Sequence, residues 1–392
     1  MSDLTKALLA IACASPVAIG GCALAPSAPP ASSIRLAVSA NDAKGEYVDG
    51  APRTVQNPGP DTVSIIDLTS SPPRAIAEVE APTSAVGPPL SVAVAPDESF
   101  ALVTAATKFV GGKIAPNNIL SVIDLKASPP RVIQTLQAGM GAAGVSINRT
   151  GTLALVADRR DGTVSVFTIS GKVLTAAGKV KVGDEKSGPT SVVITPDGKR
   201  ALVTRNGDDG LMILNIDGSK VEATKRVFYA GLAPWSADIT PDGAFAVISN
   251  MGRNQGDLDT VSVVDMRANP PRTVNTVTVG FGPEVIKVSP DGRWCAVVVL
   301  NGANRPASHP YHSANGILVV LRRDGAQLTK VAETPITRWP QGVVFSGDSR
   351  TILVQNITEK NIQVFSFDGS SLRETAKIPL KGGGAALRTA ER

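Results

Sequence analysis

The chain has two histidines, His309 and His312, which stand three residues apart in the stretch Arg305-Pro306-Ala307-Ser308-His309-Pro310-Tyr311-His312. Imidazole changes charge near neutral pH and is a common metal ligand, so a pair at this spacing could begin either an acid/base site or a metal site. A metal site needs three or four ligands, and the loop supplies two. Glu284 and Asp257 could complete the set only if their loops folded inward. General-base chemistry needs one histidine beside the reacting group, a neighbour that tunes it, and donors for the developing negative charge. Glu284, Arg205 and Arg338 are residues of those types. A third reading is a surface loop, shaped by Pro310 and Tyr311, whose histidines are polar decoration. All three stay open at this level, with no metal site assigned. The chain has no Gly-x-Ser-x-Gly elbow, His-Glu-x-x-His helix, phosphate loop or dinucleotide fingerprint, so no cofactor is expected.

The loop's role depends on the scaffold that carries it, and that scaffold is a repeat. The segments "SVAVAPDESFALVT" from 91, "GVSINRTGTLALVA" from 144, "SVVITPDGKRALVT" from 191, "SADITPDGAFAVIS" from 236, "VIKVSPDGRWCAVV" from 285 and "GVVFSGDSRTILVQ" from 342 align as six copies. A weaker seventh, "RLAVSANDAKGEYV", begins at residue 35. Each copy reads as a strand, a tight turn and a second strand, because Asp-Gly between alternating apolar runs signals a hairpin. A third strand follows each copy, as in "DTVSIIDL" from 61 and "DTVSVVDM" from 259, and a turn then leads to a fourth. The units recur every 45 to 57 residues, a propeller period, so the sequence predicts an all-β, seven-bladed β-propeller of four-stranded antiparallel blades. The first and last blades each show four strands of their own, which leaves the closure of the ring open; the tail assigned to 383–392 could cover the seam.

The pattern Gly-x-x-Pro, apolar strand, Pro-Asp-Gly, a second strand and Asp/Gly-Thr-Val-Ser-Val-x-Asp is clearest in Gly188 to Thr204 and Asp259 to Asp265. It resembles the YVTN-repeat, YncE-like and lactonase-like seven-bladed propellers over about residues 34 to 382. That resemblance implies the fold. For activity it implies either ligand binding or lactone opening, in which a histidine, a glutamate and arginines converge over the channel mouth.

Antiparallel pairing sends first-to-second and third-to-fourth turns to one face, and second-to-third loops and blade crossings to the other. The first face has the tight turns. The second has the long loops, where sites on rigid scaffolds are usually built, and the histidine loop belongs to it. That face also gathers Lys108, Arg159, Arg160, Arg205, Arg253, Asn301 and Arg305, with Asp158, Asp208, Asp209 and Asp257 among them. Trp235, Glu284, Arg338 and Trp339 enter from the crossings. Two chemistries follow: guanidinium forks from several blades converge on a small carboxylate, or they pair with the neighbouring aspartates as solvated loop charges.

Composition bounds the remainder. The 392 residues carry a net charge of +5, with both signs interspersed, which excludes a nucleic-acid footprint. Residues 1–22 read as an export leader, ending in Ile19-Gly20-Gly21-Cys22, which resembles a lipoprotein lipobox and makes Cys22 the lipidation candidate. A Pro/Ala/Ser linker, 23–33, precedes the propeller assigned to 34–382. Outside the leader the one cysteine is Cys295, expected to be a buried apolar residue. The predicted protein is an exported monomer, periplasmic or held at a membrane only through a lipid anchor. It binds a small molecule or protein partner at its loop-rich face through residues such as Arg159, Arg253, Asn301, Trp235 and Trp339. The alternatives are a metal-independent lactonase-like hydrolase and an envelope scaffold.

Overall fold

A computed structural model describes residues 34–253 and 255–391. The leader, the linker and Cys22 lie outside the described residues. The described chain folds into seven four-stranded antiparallel sheets and one small two-stranded sheet. Blades 2 to 7 start with the innermost strands Val92–Val94, Ala142–Ile147, Pro189–Ile194, Pro234–Ile239, Pro283–Val288 and Pro340–Phe345, each followed outward by three strands in chain order. Seven apolar clusters hold the ring, one between each pair of neighbouring blades. Leu202, Ile213, Ala237 and Ile248, for instance, pack blade 4 against blade 5.

The repeat's polar residues have local work that accounts for their recurrence. In Thr195-Pro196-Asp197-Gly198 the Asp197 carboxylate accepts the Thr195 hydroxyl at 2.6 Å and the Lys199 amide at 3.0 Å, while Gly198 takes a φ of +69°. These contacts tie the turn to itself. Asp291 and Asp348 repeat the arrangement with Ser289 and Ser346. The Thr-Val-Ser-Val strand serves the opposite end of the blade. Thr260 and Ser262 accept from the Asn250 amide at 3.0 and 2.9 Å, and Thr62 and Ser64 do the same for Asn41. In blade 3 Asp158 takes the place of the asparagine. It accepts from Thr163, Ser165 and the Gly139 amide, each at 2.8 Å, and burial still pushes its carboxyl up to about 6.

Ring closure differs from the sequence expectation. The segment from Gly383, expected to be a tail, is the strand Gly383–Thr389, and it pairs with Leu36–Asp42 as the innermost strand of blade 1. Leu36–Asp42 is therefore a second strand, not the first strand of a seventh copy, and Gly45–Val48 belongs to a separate hairpin with Ala51–Thr54. The alternation of Leu36–Asp42 alone could not reveal which of two positions it occupies. Near the tight-turn end the closing segment carries two charges into the channel, Arg388 buried and Glu391 half-exposed. Lys287 Nζ lies 3.2 Å from Asp238 and 3.1 Å from Glu391, with Arg388 buried beside them, at the floor of a cavity of about 80 Å³. Cys295 is buried and free, and burial pushes its thiol up to about 12.

Candidate active site at the loop-rich mouth of the channel

Four innermost strands begin in the same way, and that beginning builds the site. Gly188, Ala233, Gly282 and Trp339 have φ values of +54°, +52°, +72° and +50°, and each is followed by the proline that opens the strand. Each turns its carbonyl toward the loop leaving the second strand, where it accepts the amide of Asn206, Met251, Leu300 or Ile357 at 2.8 to 3.2 Å. The residue after the proline is bulged. In blade 5 Pro234 pairs with Asn250 and Ser236 with Ser249, leaving Trp235 without a partner. Thr190 and Glu284 are left out in the same way in blades 4 and 6, and the shift in blade 7 spans Gln341. A bulge re-aims a side chain. Repeated around the ring, it brings Thr190, Trp235, Glu284 and Gln341 to one end of the channel.

Glu284 is the centre of this group. It is 4% exposed, and its Oε1 accepts Gln341 Nε2 at 3.2 Å. Burial raises its carboxyl from 4.5 to about 7, opposed by Gln341 and by the neighbouring Trp235 indole. The indole N–H, Glu284 Oε2 and Gln341 Oε1 are all buried without a hydrogen-bond partner of proper geometry. Unmet polar atoms in one place are costly, and they mark a position where a ligand or water supplies the missing bonds. On the other side of Trp235 the Arg159 guanidinium lies 4.8 Å from the ring centroid. It donates to Thr190 Oγ1 at 2.8 Å and to Asn206 Oδ1 at 3.2 Å. Burial, helped by Arg160, brings it down to about 10, so it stays a cation at neutral pH. Among the described residues no carboxylate pairs with it.

Of the residues expected from sequence, Glu284, Trp235 and Arg159 are thus brought together. Three further arginines are engaged with loop carboxylates. Arg205 binds Asp208 (Nε to Oδ1, 3.1 Å) and Ser187, Arg253 binds Asp209 at 2.8 and 2.9 Å, and Arg338 binds Glu359 at 2.7 Å. Asn301 donates within its own loop to Ser313 Oγ and the Asn315 carbonyl. Half-buried His309 accepts the Tyr311 amide at Nδ1 (3.2 Å), and exposed His312 places Nδ1 2.9 Å from the Arg305 carbonyl. Neither histidine is hydrogen-bonded to Glu284 among the described residues. The same residues contain no group of three His, Cys, Asp or Glu side chains placed to hold a metal. Sequence reasoning missed Gln341, Thr190 and Asn206. For the first two the signal was present, as the residue after each strand-opening proline.

A buried carboxyl, a cation and unmatched polar atoms at one mouth of a seven-bladed ring define a propeller with an internal polar site. The chain belongs to the family described as "Lactonase, 7-bladed beta-propeller", whose model matches residues 132–383. No curated protein matches it. Among solved structures, it is similar to a periplasmic gluconolactonase from Pseudomonas aeruginosa at 18% identity and TM-score 0.66, covering 91% of this chain and 99% of that one. A candidate 6-phosphogluconolactonase from Bacteroides fragilis matches at 18% and 0.68, covering 92% and 99%. A functionally unknown protein from Desulfotomaculum acetoxidans matches at 14% and 0.69, covering 91% and 99%. At these identities the shared property is the fold.

Proposed function

We propose that the protein is a lactone-opening hydrolase acting at the loop-rich mouth, with Glu284 as general base. The observation that carries this reading is the Glu284 carboxyl itself, buried among unmatched polar atoms and raised to about 7, where a base is poised near neutral pH. Membership of the lactonase propeller family supports the reaction class and moves this reading ahead of simple binding. In the proposed step the Glu284 carboxylate takes a proton from water as the water oxygen attacks the lactone carbonyl. The carbonyl oxygen becomes an oxyanion near the Trp235 N–H, the Gln341 amide and the Arg159 cation, which are donors set in place by the fold. Collapse breaks the ring C–O bond, and the leaving alkoxide recovers the proton from Glu284. The product is a hydroxy acid.

The test is pH-stat hydrolysis over a panel of lactones with wild type, Glu284→Gln, and the double variant His309→Ala/His312→Ala, each with and without chelator. Glu284→Gln is expected to lose about 100-fold or more in kcat, the usual span for a general base. Wild-type kcat/KM should rise through about pH 7 and level above it, because the base form is the ionised one. An unchanged Glu284→Gln rate would remove Glu284 from the mechanism, and loss only in the histidine variant would move the base to that loop. A wild type inert on every lactone returns the mouth to ligand binding. We place the protein outside the cytoplasm as a monomer acting on a small molecule. The leader-like N-terminal sequence supports export, and among the described residues no helix is long and apolar enough to cross a membrane.

A further inference from the structure

A side chain that is 4% exposed cannot meet a substrate unless something moves, and two segments adjoin Trp339 and Gln341, the residues beside it at the mouth. One is the crossing from blade 1 to blade 2, where a Cβ on Gly87 would lie 2.7 Å from Gln341 Oε1, the same Gln341 that binds Glu284. The other is the hairpin Gly45–Thr54, the two-stranded sheet that belongs to no blade. The two are joined, since Asp42 at the hairpin's base accepts the Lys44 amide at 2.9 Å and the Val86 amide at 3.3 Å. Val86, a β-branched residue at φ +63°, and Gly87 at +78° place left-handed backbone over the mouth.

The hairpin reaches from blade 1 past blade 7 to the histidine loop of blade 6. Asp49 Oδ1 accepts the Ala307 amide at 2.7 Å, and Gly50 packs so closely on the Arg305 backbone that a Cβ would stand 2.4 Å from it. Between these ends the Tyr47 ring meets Trp339 edge-on at 4.3 Å between centroids, and the Tyr47 hydroxyl is buried with no partner. Trp339 occupies the position before the strand-opening proline that is glycine at 188 and 282. It holds the same left-handed backbone, which a side chain with a Cβ adopts at a cost. A tryptophan kept in a glycine position against backbone preference needs a use for its ring, and here that use is the contact with Tyr47.

We propose that the hairpin Gly45–Thr54, together with the 81–91 crossing, is a lid over Glu284, and that the Tyr47–Trp339 pair is its latch. The proposal rests on the reading that Glu284 is where the ligand reacts. Opening requires the aromatic pair and the Asp49–Ala307 bond to part, while the blades stay fixed. Substrate size would then be limited by how far the hairpin lifts, which makes Tyr47 and Trp339 determinants of access without touching the reacting atoms.

The test compares full-length wild type, Trp339→Gly and Tyr47→Ala in two measurements that do not need turnover. Trp339→Gly restores the residue found in other blades and is expected to fold. Tyr47→Ala removes the other half of the latch from a hairpin that lies outside the blade sheets. Amide hydrogen exchange should rise at least tenfold in 45–54 in both variants and leave Pro283–Val288 and Pro340–Phe345 protected. Carbodiimide coupling of an amine to Glu284, followed by peptide mass spectrometry, should speed up at least tenfold in parallel. Unchanged hairpin exchange would show that the pair is not a latch. Faster exchange with unchanged Glu284 labelling would show that the hairpin is not the lid. Failure of the lactonase reading appears separately, as a wild type without activity whose Glu284 is still unmasked by Trp339→Gly.

Discussion

Replacing Glu284 with glutamine should make the protein more stable at alkaline pH and leave it nearly unchanged in acid. The fold raises this carboxyl from 4.5 to about 7 because ionising it in a buried site forfeits hydration that Gln341 and Trp235 only partly replace. Below pH 4 the side chain is protonated in both folded and unfolded chains, and its full contribution is present. As pH rises past 4.5 the unfolded chain ionises while the folded one holds its proton, and stability is lost until the folded group also ionises near 7. At about 1.4 kcal/mol for each tenfold difference in proton affinity, the loss is about 3 kcal/mol, half of it reached by about pH 6. Glutamine keeps the shape and the oxygen that accepts from Gln341 without the ionisation. All other titrating groups are shared, so they cancel in the difference between the two proteins. With an unfolding entropy near 2.1 cal/mol/K per residue over roughly 360 residues, about 3 kcal/mol corresponds to about 4 °C in Tm. The assay is urea unfolding of both proteins from pH 4 to pH 9. A gap between them that does not widen with pH would refute the reasoning, whatever its size at any one pH.

Other expectations follow from the buried polar ties. Lys287→Met removes the ion-pair partner of the buried Asp238 and leaves it only the neighbouring Arg388 charge, and should destabilise by about 3 kcal/mol in chemical denaturation at pH 7. Asp158→Ala removes the acceptor of the Thr163 and Ser165 hydroxyls and leaves the Gly139 amide only Ser165 Oγ at 3.0 Å, and should cost about 1–3 kcal/mol by the same assay. Truncation after Lys381 removes the innermost strand of blade 1, so the product should lack a cooperative thermal transition, whereas a tail merely lying over the seam would be dispensable.

The architecture was legible because its determinants are local and repeated. Thr195, Asp197 and Gly198 close a turn on themselves, and the Thr and Ser of Thr260-Val261-Ser262 meet a polar residue on the adjacent strand, so the repetition is visible in the letters. Closure was not legible, because Gly383–Thr389 and Leu36–Asp42 pair across almost the full length of the chain. The site divides on the same line. Glu284 and Trp235 could be read from their place at the start of innermost strands. That Arg159 stands free of carboxylates while Arg205, Arg253 and Arg338 do not depends on which loop aspartate comes within reach, and charge content is the same either way. The histidines drew attention by their chemistry, yet each turns its Nδ1 to the backbone of its own loop and neither is hydrogen-bonded to Glu284 among the described residues.

One repeated backbone device carries both the structure and the proposed chemistry. The left-handed residue, proline and bulge at the head of the innermost strands of blades 4 to 7 are held by the same carbonyl-to-amide bond, so the backbone there is over-determined and tolerates exchange of the side chain it presents. Blade 4 presents threonine at the bulge, blade 5 tryptophan, blade 6 glutamate and blade 7 glutamine, four different groups at equivalent positions around one opening. A ring built this way can change its chemistry one blade at a time without redesigning a strand. Trp339 extends the device by one residue, putting a large ring in the left-handed position itself, where it reaches outward to the hairpin as its neighbour Gln341 reaches inward to Glu284. The hairpin contact at Trp339 and the hydrogen bond to Glu284 at Gln341 are thus two residues apart, so on the proposed reading a shift of the lid would act on the side chain that binds the base.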